Sequence, residues 1–303
     1  MTDSVLISGG VKSKKRNKGC LCGLRRYPYE PDLGNASVGN GDYCIFHESH
    51  QGPYPGKGVA LFYGPVRFRE ERADGTVIMK KVVFVVSGGE LGDPVFFREQ
   101  AVKAAPAAVI CADGGARHLQ AVGIVPALIV GDMDSLDSES QRYYEAMGCR
   151  IIRHPPQKDE TDTELALREA FGMDPAEVWI WGALGHRLDH TLANLCLLVQ
   201  GAKWGITVKL IDAWCEVFLI NRRTVLEGEV GQTVSLLPFA GDAAGVTLTG
   251  FEYHLTKAVM EIGRPHGISN RLVEREGIIE VDSGCLLAVR YFRPGVFPGE
   301  GKG

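Results

Sequence analysis

The chain has 303 residues, 45% of them apolar and 23% charged, with a formal net charge of −4. This is the composition of a folded globular protein with room for roughly two domains, and its slight acidity gives no general electrostatic affinity for nucleic acid or a membrane surface. No apolar run approaches the ~18 residues of a membrane span, and the N-terminus lacks an apolar signal core. Five of the eight cysteines (Cys111, Cys149, Cys196, Cys215 and Cys285) stand singly in apolar or strand-like segments, the usage of a reducing cytoplasm and not of a disulfide framework.

Residues 1–78 are rich in Gly, Lys, Arg, Tyr and Pro and show little periodicity. They read as an irregular extension, disordered or part of a misassigned start, since Met79 opens the recognisable domain. Its basic start is the only support for a nucleic-acid contact. Cys20, Cys22, Cys44, His47 and His50 are zinc-type ligands, but Cys-x-Cys is tighter than the usual finger spacing. From residue 79 to 213 strand and helix patterns alternate. Strand-like runs lie at 82–87, 107–112, 127–130, 150–154, 177–182 and 207–212, and helix-like segments at about 95–104, 115–122, 138–148, 162–172 and 190–202. That order predicts a Rossmann-like parallel sheet with right-handed crossovers. From 214 to 303 short strands at 217–220, 233–237, 245–248, 278–281 and 286–289 are separated by Gly and Asp turns, which predicts a small β-sandwich domain.

The chemistry gathers behind the strands of the α/β region. The run Ala127–Val130 ends in Gly131-Asp132-Met133-Asp134-Ser135, and Ala107–Ala112 delivers Asp113, Gly114 and Gly115. Lys158, Asp159, Thr161 and Asp162 follow the fourth run, and Gly185-His186-Arg187-Leu188-Asp189-His190 the fifth. Parallel strands put these ends on one edge, where ligands of open α/β sheets bind. Asp113, Asp132, Asp134 and Asp162 then form a carboxylate cluster suited to Mg²⁺, a hard cation that bridges to phosphates. Lys158 and Arg187 supply positive charge for a transferring phosphoryl group. No Walker A sequence is present, which argues against a P-loop kinase and leaves the metal to carry more of the phosphate recognition.

These motifs resemble the thiamine pyrophosphokinase family: Ala112-Asp113-Gly114-Gly115-Ala116, Gly131-Asp132-Met133-Asp134-Ser135-Leu136, Lys158-Asp159-x-Thr161-Asp162, Gly185-x-Arg187-Leu188-Asp189-His190-Thr191-x-x-Asn194 and Gly267-Ile268-Ser269-Asn270, in order between Met79 and Phe292. The resemblance implies transfer of the terminal diphosphate of ATP to the hydroxyethyl group of thiamine, with AMP as the other product. It implies a homodimer with active sites near the subunit interface. It implies that Asp113, Asp132, Asp134 and Asp162 hold Mg²⁺ and through it the triphosphate, that Lys158 and Arg187 face the phosphates, that Asp189 orients neighbouring groups or the nucleotide, and that Ser269 and Asn270 meet the thiamine pyrimidine. His186 departs from the pattern, where Gly is common, and could reshape the loop that presents Arg187.

Plainer roles compete at several positions. Asp159 is an acid before a helix, favoured by the macrodipole whatever the chemistry. Thr161 reads as the N-cap of a capping box with Glu164. Gly114, Gly115, Asp159, Thr161, Asp189 and His190 remain candidates for the nucleotide, with Asp189 and His190 alternatively a local charge pair and His190 a possible base. Trp179 and Trp181 alternate on a strand and read as core. Two other functions stay open: a pyrophosphokinase for another small alcohol such as a 6-hydroxymethylpterin, and a non-catalytic nucleotide- or thiamine-binding regulator, which loss of any of the four acids would have favoured.

Overall fold

The computed structural model describes residues 81–298 throughout and, before them, the backbone of residues 36–38, 44–46, 60–61, 68–71 and 77–80. Strands β1 (Ala36–Val38), β2 (Cys44–Phe46) and β3 (Ala60–Leu61) form one antiparallel sheet, and β4 (Phe68–Glu71) pairs with β5 (Val77–Lys80). The expected irregular extension thus contains short strands. At two to four residues they are too brief to show the alternation that reveals a strand. Met79, expected to open the folded region, lies inside β5 opposite Arg69. Cys20, Cys22, His47 and His50 fall outside the described residues, and of Cys44 only its place in β2 is described.

The α/β part follows the expected order: β6 (Val82–Val86), α1 (Pro94–Ala104), β7 (Ala108–Ala112), α2 (Ala116–Val122), β8 (Leu128–Gly131), α3 (Ser138–Ala146), β9 (Arg150–Arg153), α4 (Asp162–Phe171), β10 (Glu177–Trp181), α5 (Leu188–Trp204) and β11 (Thr207–Ile211). β6 and β7 are buried at every position, as strands covered on both faces must be. Their side chains alternate between two cores. Val83 and Val85 pack with Leu165, Ala166 and Leu198 of α4 and α5, while Val82, Phe84 and Val86 pack with Phe97, Leu119 and Tyr144 of α1, α2 and α3. Trp181 is fully buried in the second layer, edge-on to Phe97 at 5.0 Å, and Trp179 stacks on Phe84 at 5.3 Å. Both indoles are packing residues, as their alternation suggests.

The chain continues through β12 (Cys215–Ile220), β13 (Thr224–Glu227), β14 (Thr233–Pro238), β15 (Ala243–Thr249), β16 (Leu255–Met260), β17 (Asn270–Arg271), β18 (Glu276–Glu280) and β19 (Leu286–Tyr291). One ten-stranded sheet runs β17-β14-β19-β12-β11-β10-β6-β7-β8-β9. It is parallel from β11 to β9 and antiparallel from β11 to β17. A four-stranded sheet, β13-β18-β15-β16, packs on the antiparallel half through Phe218, Val234 and Leu236 on one side and Val246, Leu248 and Ile279 on the other. A β-sandwich therefore forms as expected, but one of its layers is the continuation of the α/β sheet. The edges differ from the middle. β17 has two residues, and β9 is Arg-Ile-Ile-Arg with both arginines exposed.

Candidate active site at the carboxyl edge of the parallel strands

β6 and β10 lie side by side, yet the helices that follow them leave on opposite faces. α1 packs in the layer of Phe84, and α5 in the layer of Val83 and Val85. This is the topological switch point of the sheet, where a crevice opens at the carboxyl ends. The two loops touch there: Ser87 N donates to Trp181 O at 2.8 Å and Gly89 N to Gly182 O at 3.0 Å. A Cβ on Gly89 would stand 2.3 Å from the Gly182 carbonyl, and Gly182 has φ +64°. Side chains are excluded from this contact by geometry. From α2, Arg117 and His118 bond the carbonyls of Gly88 and Gly89, the latter at 2.6 Å, and burial lowers the His118 pKa. Gly114 packs against Gly88, and Gly115 lies under the Val86 carbonyl.

Beside the crevice stand the acids. Asp113 follows β7 and is buried; Asp132 is half-buried; Asp134 is exposed. Oxygens from all three lie within 4.8 Å of one another. Met133 between them has φ 65° and a buried side chain in the core of α1, α2 and α3. The reversal turns Asp134 N back onto Asp132 Oδ1 at 3.2 Å. Ser135 donates N–H to Asp113 Oδ2 at 3.2 Å and its hydroxyl to Asp134 Oδ1 at 3.0 Å. Asp113 Oδ1 is buried without a hydrogen-bond partner. Burial is the main reason its pKa is raised, and the nearby charge of Asp162 adds to it. Three converging acids, one of them with an unpartnered buried oxygen, fit a divalent cation.

Asp162 is placed differently from the other three. It and Asp113 both crowd the Cα of Gly131, where a Cβ would lie 2.5 Å from Asp113 Cβ and 3.3 Å from the Asp162 carboxyl. Its carboxylate is held at 2.8 Å by Lys158, whose side chain is 11% exposed. Lys158 therefore neutralises Asp162 in this arrangement. Thr161 is the N-cap of α4, accepting from Glu164 N at 3.2 Å. The Glu164 carboxylate meets Gln200 of α5 at 3.0 Å. Asp159 is exposed ahead of the helix.

On the other lip, Arg187 forks onto Asp189 through Nη2 at 2.6 Å and Nε at 3.3 Å. That bond holds the Asp189 pKa below its usual range. His190 Nε2 is 3.9 Å from the same carboxylate, so Arg187, Asp189 and His190 stand together on this lip. α5 begins without a side-chain cap from Arg187, and the Asp189 carboxylate accepts the His190 backbone N–H in its first turn. His186 Nε2 reaches Glu90 at 2.9 Å, so the residue that departs from the family pattern ties the two loops together. Asn194 is buried and donates to Ala183 O at 2.8 Å, anchoring the loop from α5.

Two features escape a reading of the sequence. Ser87 Oγ and Thr163 Oγ1 are 2.9 Å apart, pinning the first turn of α4 to the end of β6. In the antiparallel half, the Asn270 side chain is buried and committed: Oδ1 accepts from Tyr253 N at 2.9 Å and Nδ2 donates to Tyr253 O at 2.8 Å. Asn270 thereby fixes the backbone of Tyr253, a residue that is 64% exposed. The signal would have been an aromatic in the Gly-flanked turn Gly250-Phe251-Glu252-Tyr253, which is weak. Ser269 is exposed with φ 59° and donates its N–H to Ser235 Oγ at 3.0 Å. β17 and β7 are separated by six intervening strands, about 34 Å along the sheet at ~4.8 Å per spacing.

Comparison with known proteins gives a consistent picture. Residues 99–210 match the family described as thiamin pyrophosphokinase, catalytic domain, and residues 222–286 the thiamin pyrophosphokinase, vitamin B1 binding domain. The chain is 33% identical over 180 residues to thiamine pyrophosphokinase of Bacillus subtilis, spanning 59% of this chain and 84% of that protein. A crystal structure of the B. subtilis protein superimposes with a TM-score of 0.63 at 30% identity, covering 70% of this chain and 99% of that one. The thiamin pyrophosphokinase of Geobacillus thermodenitrificans gives 0.62 at 26% identity, covering 71% and 100%.

Proposed function

The chain belongs to the thiamine pyrophosphokinase family, and from that premise we infer that it transfers the terminal diphosphate of ATP to the hydroxyethyl oxygen of thiamine. The new bond joins that oxygen to the β-phosphorus, and AMP leaves with the bridging oxygen. The observation that carries this reading is the convergence of Asp113, Asp132 and Asp134 at the switch point, with Asp113 Oδ1 lacking a protein partner. The match of residues 222–286 to a vitamin B1 binding domain favours thiamine over a pterin alcohol.

Asp113, Asp132 and Asp134 would hold Mg²⁺, with Asp162 in reserve behind Lys158. When bound, the ion would offset phosphate charge and polarise the transferring group. The chain's own residues do the remaining work. Arg187 sits exposed at the mouth of the crevice, paired with Asp189. A phosphate oxygen could take its guanidinium from Asp189, since bidentate anion binding suits that group. The N-terminal end of α5 adds partial positive charge on the same side. Little base assistance is required, because phosphoryl transfer passes through a loose transition state. Gly114, Gly115, Asp159 and His190 border the nucleotide, while Thr161 acts through the helix it caps.

Tyr253, held by Asn270, offers a flat exposed ring on which the pyrimidine could stack, beside Ser269. The distance along the sheet from β17 to β7 makes it hard for one chain to bring this platform to its own acids. A homodimer in which each platform faces its partner's crevice resolves the separation. The five described cysteines are free thiols, in keeping with a cytoplasmic protein. No helix among the described residues is long and apolar enough to cross a membrane. The test is purified protein with ATP, MgCl₂ and thiamine. Thiamine diphosphate and AMP should form one to one, stop on chelation and resume with added Mg²⁺. Formation of ADP and thiamine monophosphate would overturn the reaction type.

A further inference from the structure

The segment that follows β6 begins Ser87-Gly88-Gly89-Glu90 and crosses from the acidic side of the crevice to its basic side. Gly88 touches the acidic side. A Cβ built on it would lie 3.2 Å from Gly114 Cα, and one on Gly114 would lie 3.7 Å from Ser135 Oγ. Glu90 touches the basic side. Its backbone N is 3.6 Å from the place a Cβ would take on Gly185, two residues before Arg187.

The peptide groups of this loop are aimed from α2. Arg117 Nη2 donates to Gly88 O at 2.5 Å, and His118 Nε2 to Gly89 O at 2.6 Å. Both donors stand in the first turn of α2, so two successive carbonyls face that helix. Burial lowers the His118 pKa. The ring is therefore neutral at neutral pH, with its proton on the nitrogen that meets the carbonyl. No peptide bond here is cis, and in a planar trans peptide the N–H points opposite to the C=O. The N–H groups of Gly89 and Glu90 thus face away from α2, toward the loop after β10. Gly89 N–H donates there to Gly182 O at 3.0 Å. The Glu90 N–H, next along, has no acceptor among the described residues. The Glu90 carboxylate is drawn aside to His186 Nε2 at 2.9 Å. Among the described residues His118 alone donates to the Gly89 carbonyl. Gly89 has no side chain to hinder rotation of the peptide that follows it. Released and turned over, that peptide would present a carbonyl oxygen where an anion needs a donor.

We propose that Arg117 and His118 are positioning residues for the transfer: by holding the Gly88 and Gly89 carbonyls toward α2, they keep the Glu90 N–H turned into the crevice, where it donates to an oxygen of the transferred diphosphate. The proposal rests on the reading of ATP as donor. The experiment compares His118→Leu, which removes the donor, with His118→Gln, whose side-chain amide can donate at similar reach. His118→Leu should lower kcat at least about tenfold, short of the full loss of an oxyanion donor, with KM for thiamine within twofold. His118→Gln should restore kcat to within about threefold of wild type. Titration with inorganic tripolyphosphate in MgCl₂ should show binding weakened at least about fivefold in His118→Leu and recovered in His118→Gln. Wild-type kcat or unchanged tripolyphosphate binding in a folded His118→Leu protein would overturn the proposal. So would a His118→Gln protein as impaired as His118→Leu, or an effect confined to KM for thiamine. Should His118→Leu misfold, Arg117→Met, at an exposed position, should lower kcat about threefold and weaken tripolyphosphate in parallel, and no change in either would overturn the proposal. If the wild-type protein forms no thiamine diphosphate, the functional reading fails, while the tripolyphosphate titrations still decide whether these two side chains aim the loop at an anion.

Discussion

The two halves of the ten-stranded sheet position their polar groups by opposite means. In the parallel half every candidate group stands at a strand end or in the loop just after it: Asp113 after β7, Asp132 and Asp134 after β8, Asp162 opening α4 after β9, and Arg187 after β10. Local backbone geometry aims them. In the antiparallel half the exposed Tyr253 ring is held by an amide seventeen residues later in the chain, through the buried side chain of Asn270. The first arrangement concentrates charge at the expense of stability, as the partnerless Asp113 oxygen shows. The second satisfies every polar group of Asn270 and presents an apolar surface. A metal-bound anion needs the former, and a flat heteroaromatic ring the latter.

The largest expected effect strikes the parallel half alone. Asp132→Asn or Asp134→Asn should keep the fold and lower turnover by on the order of a hundredfold, ~2.7 kcal/mol of barrier, measured at saturating Mg²⁺. Normal turnover would remove these residues from the metal site. Asp113→Asn should be as inactive yet more stable to heat than the metal-free wild type. The folded-state pKa of Asp113 lies above its unfolded value, so the native state binds more protons in the window between the two. Stability of the metal-free protein should therefore fall as pH rises through that window, and the variant should lose this slope. A thermal scan across that pH range in the presence of chelator checks the sign.

Mixing the halves tests whether they cooperate across a dimer. At thiamine well below KM, Asp132→Asn chains co-folded with Tyr253→Ala chains should gain up to about a quarter of wild-type activity above the residual activity of the Tyr253→Ala sites, because one site in each mixed dimer then has both halves intact. Absence of recovery would argue for a site completed within one chain. Alone, Tyr253→Ala should raise KM for thiamine about tenfold, the scale of one lost stacking contact, and leave KM for ATP unchanged. Asn270→Ala should cost about 1–3 kcal/mol of stability through the Tyr253 groups it strands, readable by urea denaturation, and raise the thiamine KM alongside. The smallest effect belongs to the extension. Deleting residues 1–66, which spares the β4–β5 pair, should change kcat/KM by less than about twofold, since every group given a part in the transfer lies at or beyond Ser87.

The same contrast explains what the sequence discloses. The α/β strands are largely apolar runs followed within two residues by Gly or Asp, so β6, β7, β8 and β10 are readable to within a residue, and the acids with them. The capping box at Thr161 is readable for the same local reason, although Glu164 turns to Gln200. What sequence conceals is the choice among partners in space. Nothing in the Lys158–Asp162 spacing says that the lysine closes on that acid instead of a phosphate. The resemblance gives Asn270 as a contact of the pyrimidine, and the fold places its amide on the backbone of Tyr253. β13, β16 and β17 pass unnoticed because they are short or half-exposed and lack a clean apolar alternation.

The ends of the sheet constrain how two copies can meet. A row of unpaired backbone groups invites another strand, and this sheet gives such a strand little to grip. One margin is only Asn270 and Arg271, and the other presents Arg150 and Arg153 to water. Two approaching β9 margins would set arginine against arginine. Growth of the sheet from chain to chain is thereby discouraged, and association is left to faces and loops, where it can be a closed pair in place of an open-ended ribbon.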